Sequence, residues 1–190
     1  MRPDLRPLLI ATALFAAAVL SPNPAFAADY VQAKGSTLTF ATQYQGETFS
    51  GRFPSFATTL RFDPKQLATS KLDVTIPLAG FSTANKDRDD TLRGADFFNI
   101  AKFPTARYVA TKFRSLGGNR YAADGTLTLR GVSRPVVLDF TWTPGKAPVL
   151  TGKATVKRLA FNIGGGDWAD TDLLPDNVAV STRVVLQVRK

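Results

Sequence analysis

An all-β fold, an extended antiparallel barrel of about eight strands, is what this chain predicts. Three observations carry that reading. Apolar residues recur at every second position along most of the chain, glycine-, proline- and aspartate-rich turns separate those runs, and one stretch breaks the alternation. Period-two patterning marks strands with one buried face, and closely spaced short strands of this kind build barrels or sandwiches. The exception lies near residues 84–99, where a short helical insertion is expected.

The chain opens with Arg2 and Arg6, an apolar run from Leu8 to Leu20, the breakers Pro22 and Pro24, and Ala25-Phe26-Ala27. That order predicts a secretory signal peptide over residues 1–27, cleaved near Ala27, so that the mature chain is exported. Its apolar run is shorter than the roughly 20 residues a membrane-spanning helix needs. Residues 28–190 then form one domain, since about 100–200 residues is a typical domain length. Loss of Arg2, Arg6 and Asp4 with the leader lowers the formal charge from +9 to +8. The cations are scattered along the chain and not massed, so nucleic acid is not an expected partner, while transient contact with an anionic membrane surface is.

The strands follow in order. Leu38, Phe40 and Tyr44 share a face against Thr37, Thr39 and Gln43, and Phe49, Gly51 and Phe53 alternate likewise. Phe56, Leu60 and Phe62 lie on one side of the next run. Leu72, Val74, Ile76 and Leu78 oppose Lys71, Asp73 and Thr75. Beyond the insertion, Tyr121, Leu127 and Leu129 oppose Asp124, Thr126, Thr128 and Arg130. Val136, Leu138, Phe140 and Trp142 oppose Val137, Asp139 and Thr141. Lys153 and Lys157 share a face against Ala154, Val156 and Arg158, a solvated face or an anion contact. The final run sets Val178, Val180, Val184, Leu186 and Val188 against Ser181, Arg183, Gln187 and Arg189. Asp63-Pro64, Gly117-Gly118-Asn119, Pro144-Gly145 and Gly164-Gly165-Gly166 supply the turns.

Within the insertion, Asp87, Arg88, Asp89 and Asp90 form a polar first helical turn, where the helix dipole favours carboxylates. Leu92 leads to a second turn at Ala95–Phe98, and Pro104 suits the entry to a strand. Phe97, Phe98 and Phe103 are expected to pack against the barrel, because so large an apolar patch is seldom left exposed.

Missing residue types exclude much chemistry. The chain has no cysteine and no histidine, and its one methionine is the initiator. Serine–histidine and cysteine–histidine nucleophiles are therefore excluded, as are histidine metal sites and the usual haem ligands. No catalytic residue, metal site or cofactor is expected. Asp167, Asp170, Asp172 and Asp176 offer oxygens for calcium, but without EF-hand spacing or its terminal glutamate. A turn with solvated carboxylates fits that loop better.

The runs "NKDRDDTLRGADFFNIAKFPTARY" (Asn85–Tyr108) and "GTLTLRGVSRPVVLDF" (Gly125–Phe140) resemble the YceI family. So does the closing "RLAFNIGGGDWADTDLLPDNVAVSTRVVLQV" (Arg158–Val188). The resemblance covers essentially the whole mature chain. It implies a lipocalin-like barrel enclosing a long apolar tunnel, and an isoprenoid chain inside, a polyprenyl phosphate or a quinone tail. One departure is visible: members often carry a histidine in the helical segment, where Thr91 stands here before Leu92.

Periodicity alone leaves open whether side chains fill such a barrel or leave room for one ligand. With 14 phenylalanines, four tyrosines and two tryptophans, the rings suffice for either. The resemblance favours a lined tunnel, with Phe40, Tyr44, Phe49, Phe98, Tyr108, Leu127, Phe140 and Trp142 facing the ligand. Arg88, Arg93 and Trp168 are expected near its mouth. The implied function is a periplasmic carrier, monomer or homodimer, with an isoprenoid lipid or quinone as ligand. Two other readings fit: a filled barrel that meets anionic partners, and a carboxylate-based hydrolase or isomerase, for which no suitable acid pair is visible.

Overall fold

The computed structural model describes residues 28–189, so the signal-peptide expectation for residues 1–27 lies outside the described residues. Ten strands and one helix follow in the order β1 (Ala28–Gln32), β2 (Thr37–Tyr44), β3 (Glu47–Arg52), β4 (Ala57–Phe62), β5 (Lys71–Pro77), α1 (Lys86–Arg93), β6 (Thr105–Gly117), β7 (Arg120–Leu129), β8 (Val132–Thr143), β9 (Val149–Lys157) and β10 (Asn177–Val188). Eight of them close an antiparallel ring, β1-β4-β5-β6-β7-β8-β9-β10, with β10 returning to β1. The other two strands arise because β10 is long. Its Leu186–Val188 end pairs with β1, and its Ala179–Arg183 stretch pairs with β2, which carries β3 beyond the ring. An isolated bridge from Arg52 to Ser82 then ties β3 to the segment that enters α1. The all-β barrel expectation holds, and closure leaves no free edge around the ring.

Local chemistry sets the turns. The two-residue connection between β7 and β8 is Arg130-Gly131, both at positive φ (50° and 72°), which suits a hairpin whose twist matches its strands. Strands β8 and β9 pair only over Asp139–Thr143 and Val149–Lys153, after which they part. Pro135, which has no N–H to donate, lies in the stretch that β9 leaves unpaired.

Helix α1 starts where Asn85 accepts a hydrogen bond from the Arg88 amide (3.0 Å), and Asp87 and Asp89 complement its N-terminal dipole. Its last turn is followed at Gly94 by the expected turn at Ala95–Phe98, and Pro104 directly precedes β6.

Inside the ring the core divides along its length. At the far end from α1, Phe62 sits among the rings of Phe113, Tyr121, Phe140 and Trp142, with centroids 5.0–6.0 Å away. Tyr30 closes on Trp142 at 5.6 Å. These rings form a plug. Phe40, Phe53, Phe81 and Phe98 make a second cluster beneath α1. Aliphatic side chains line the space between.

Candidate functional site

That space is a cavity of about 190 Å³. Strand alternation builds its wall: Leu72, Val74 and Ile76 from β5, with Leu78 just past its end, Val136 and Leu138 from β8, and Val178, Val180 and Val184 from β10 all point inward. Phe40, Phe49, Phe98, Tyr108 and Leu127, expected to face the tunnel, line it. Two glycines let rings lie flat on the wall. A Cβ on Gly51 would stand 2.3 Å from the Phe40 ring, and one on Gly125 2.4 Å from that of Tyr108. Burial holds the Tyr108 phenol well above its ordinary pKa, so it keeps its proton. That proton is shared between the carbonyls of Ala123 (2.8 Å) and Val136 (3.1 Å).

Three expectations are corrected. Phe140 and Trp142 do face inward, but they belong to the plug and line no part of this cavity. Alternation assigns a side of the wall and says nothing about depth along the barrel axis. Tyr44 is 39% exposed, because it pairs with Glu47 at the tip of the β2–β3 hairpin, beyond the ring. Phe103 packs against the barrel as expected, over Gly131 of the β7–β8 turn and off the cavity, while Phe97 and Phe98 reach it. Val188 shares a parity with buried residues yet is 59% exposed at the end of β10.

The mouth residues are committed to holding the cap. Arg88 lies 4.5 Å over the Phe49 ring and donates to the Thr83 hydroxyl (2.9 Å) and carbonyl (3.1 Å). Arg93 lies over Phe81 and donates to Asp90 (3.1 Å) and to the Phe81 carbonyl (3.2 Å). Trp168 stacks edge-on against Phe97 at 5.2 Å and meets Tyr44 at 6.1 Å. Arg130, in the β7–β8 turn, donates to the carbonyls of Ala95, Asp96 and Asn162 and so fastens the cap to the 158–176 loop. The Gly164 amide donates to Asp96 across the same junction (2.7 Å). Among the described residues no cluster of acids is placed to hold a metal ion.

Buried Asp89 anchors the helix from below. It accepts from the Thr83 amide (2.8 Å) and hydroxyl (2.6 Å). Burial by itself raises its pKa, but the hydrogen bonds from Thr83 and Ser82 and the charge of Arg93 hold it below the usual carboxylate range. A depressed folded pKa stabilises above the unfolded value and loses that contribution as pH falls below about 4. Asp89→Ala is therefore expected to cost about 1.5–3 kcal/mol at neutral pH, read from denaturant unfolding. The difference from the parent chain should shrink in acid; a constant difference from pH 7 to pH 3 rules this anchor out.

Arg158 is the residue the residue pattern did not single out. It is 3% exposed, lines the cavity, and has no carboxylate in contact. Its guanidinium donates to five carbonyls: Pro175 (3.1 Å), Ile163 (3.0 Å), Gly164 (2.6 Å), Trp168 (2.7 Å) and Leu174 (2.6 Å). Those bonds use every donor that an arginine has. Burial pulls its pKa down, opposed by the nearby charge of Asp176. Its shared parity with Ala154 and Val156 was the available signal.

A closed antiparallel barrel with an apolar cavity and a helical cap defines a class of small binding barrels. The sequence pattern of the YceI-like domain matches residues 30–188. The chain belongs to the YceI family. It is 34% identical over 161 residues to Protein YceI of Escherichia coli O157:H7, covering 78% of this chain and 83% of that protein. It is also 34% identical over 176 residues to a UPF0312 protein of Pseudomonas savastanoi pv. phaseolicola, covering 87% and 89%. Among solved structures, BcnA of Burkholderia cenocepacia superposes with a TM-score of 0.75 at 30% identity, covering 79% of this chain and 95% of that one. A polyisoprenoid binding domain from Saccharophagus degradans shares the fold, with a TM-score of 0.65 at 15% identity over 85% and 99% of the two chains.

Proposed function

We propose that this protein carries an isoprenoid lipid, the chain of a polyprenyl phosphate or the tail of a quinone, through the periplasm, with no catalysis. One observation carries the reading: an almost wholly apolar cavity runs through the barrel between the cap and the plug. Its volume of about 190 Å³ exceeds the ~150 Å³ apolar cavity known to stay dry and take up benzene. A longer chain needs the half-buried Phe49 and Phe98 to swing away from the mouth. Each buried methylene contributes about 0.8 kcal/mol, so several isoprene units outweigh the cost of ordering them. The polyisoprenoid binding named for the Saccharophagus neighbour supports the same ligand class.

Contact with an anionic membrane surface fits the exterior. Arg120, Arg134, Lys153 and Lys157 line an outer groove over β8 and β9 in which Asp139 is the one acid. Such attraction weakens with salt, since charges are screened beyond ~8 Å at physiological ionic strength.

Native mass spectrometry of the exported protein, with organic extraction of what it carries, tests the proposal. The expected result is a chain that begins at Ala28 and a co-purifying isoprenoid. Ala106, buried in the cavity wall, is the place to block it. Ala106→Trp should lower bound isoprenoid per mole at a stability cost of about 1–3 kcal/mol. No lipid on the parent protein, and no uptake of added isoprenoid, is the outcome against the reading.

A further inference from the structure

Past Asp139 and Lys153, β8 and β9 no longer pair, although β8 stays on β7 as far as Val132 and β9 on β10 as far as Lys157. The ring is therefore split between Val132–Leu138 and Ala154–Lys157. The outer groove lies over this split, and its lining shows how deep it cuts. Val137, Thr155 and Lys157 have the outer parity of their strands, whereas Val136, Ala154 and Val180 have the inner one and line the cavity as well. A groove on an intact sheet meets outward side chains only, because residues alternate between its faces. Here one layer of side chains separates groove from cavity. Arg134 shows the same opening: it shares the parity of buried Val136, yet it is exposed and lines the groove. Phe161, in the turn directly after β9, lines the groove at 1% exposure and closes the rest of its floor. Among the described residues none of Arg120, Arg134, Lys153 and Lys157 forms an ion pair.

We propose that this split is a side portal: its basic rim settles on an anionic bilayer, and an apolar chain passes there between the bilayer and the cavity. This rests on the carrier reading above and supplies its route. No ladder bond crosses the split, so opening it moves side chains and leaves the hydrogen bonds of the ring in place. Between paired strands the same passage would break a ladder. Entry through the side does not require the cap to lift. A free strand edge can also take up a peptide, but this one is blunted. Trp142 gives its amide to Asn119 on the β7 side (2.8 Å), so odd-numbered residues of β8 turn their backbone groups toward β9. Pro135 is one of these and has no N–H, while Lys153 and Lys157 flank the other edge. Proline and lysine are what keep an open edge from accepting a strand. Positive charge around an apolar gap suits a bilayer.

The chain has no cysteine, so paired thiols can be introduced without competitors. Val137→Cys with Thr155→Cys, both exposed, places one thiol on each side of the split, and a reducible bismaleimide joins them. Thr141→Cys with Thr151→Cys, register partners where the strands already pair, is the control. Gln45→Cys with Leu173→Cys, adjacent through the Gln45 amide and the Leu173 carbonyl, locks the cap. Transfer of tritiated geranylgeraniol into the full mature protein is timed from vesicles of phosphatidylglycerol and phosphatidylethanolamine, or of phosphatidylcholine alone. The bridge across the split should slow transfer about tenfold, with the load at equilibrium unchanged and the rate restored on reduction. The other two bridges should leave the rate as it was. Transfer should be several-fold faster from the anionic vesicles, and Lys153→Glu with Lys157→Glu should remove that advantage. A bridge across the split without effect, a cap bridge that slows transfer instead, or equal rates from both vesicles overturns the portal. Poly-glutamate that slows hydrogen exchange at the Val137 and Thr155 amides, where vesicles do not, overturns it in favour of an acidic peptide. Failure of the parent chain to take up the probe at all overturns the carrier reading, and this inference with it.

Discussion

Arg158→Met lowers the stability of the barrel by about 4 kcal/mol. The substitution fills similar space but strips donors from the five carbonyls of Ile163, Gly164, Trp168, Leu174 and Pro175. A buried acceptor left unmatched costs roughly 1–3 kcal/mol, and relaxation of the 158–176 loop toward water recovers part of the sum. At about 2–4 °C per kcal/mol for a chain of this size, the thermal midpoint drops by on the order of 10 °C. Arg158→Lys recovers only a fraction, because an ammonium has three donors and no planar fork to reach carbonyls on several sides. Denaturant unfolding with an unchanged m-value measures the loss. Limited proteolysis should cut within 159–176 sooner in the variant. A loss below ~1 kcal/mol, with the loop still resistant, shows that these bonds do not hold the cap.

Phe140→Ala costs about 3–5 kcal/mol and leaves the amount of bound isoprenoid unchanged. Phe140 is 4% exposed and packs against Phe62, Phe113 and Tyr121, so truncation opens a void within the plug. Phe140→Trp overfills the same site and should cost about 1–3 kcal/mol, again with ligand load preserved. Ala106→Trp gives the reverse pattern, a modest stability cost and a lower load. Bound isoprenoid per mole beside the thermal midpoint separates the two. A fall in load on Phe140→Trp, with stability retained, returns Phe140 to the ligand's path.

Much of the site was legible because alternation is a strict rule. A strand with one buried face must place every second residue inward, and Phe40, Phe49, Tyr108 and Leu127 could be placed on that ground. The helix was legible from Asp87, Asp89 and Asp90, whose carboxylates suit a first helical turn; the cap at Asn85 was not. What alternation omits is position along the barrel axis. Phe98 and Phe140 both face inward, yet one borders the cavity and the other sits in the plug. Tyr44 and Val188 keep the parity of the core past the point where any facing strand covers them. Arg158 was passed over because a polar residue on an apolar face reads as an interruption. Its meaning depends on the carbonyls around it.

The residue order by itself determined the all-β class, the single helical excursion and the absence of histidine and cysteine chemistry, since each follows from composition or from contacts near in sequence. Tertiary structure alone decided three things. It set ring closure, in which β10 turns from β9 to meet both β1 and β2. It divided the rings between a filled plug and a lined cavity. It also decided which polar side chains inside are satisfied: Arg158 by residues 5–17 positions away in the chain, and Thr58 by no other protein group. The reason is physical. Burial and hydrogen bonding depend on which groups arrive at one point in space, whether from a loop that folds back, as around Arg158, or from strands far apart in the chain, as around the ring.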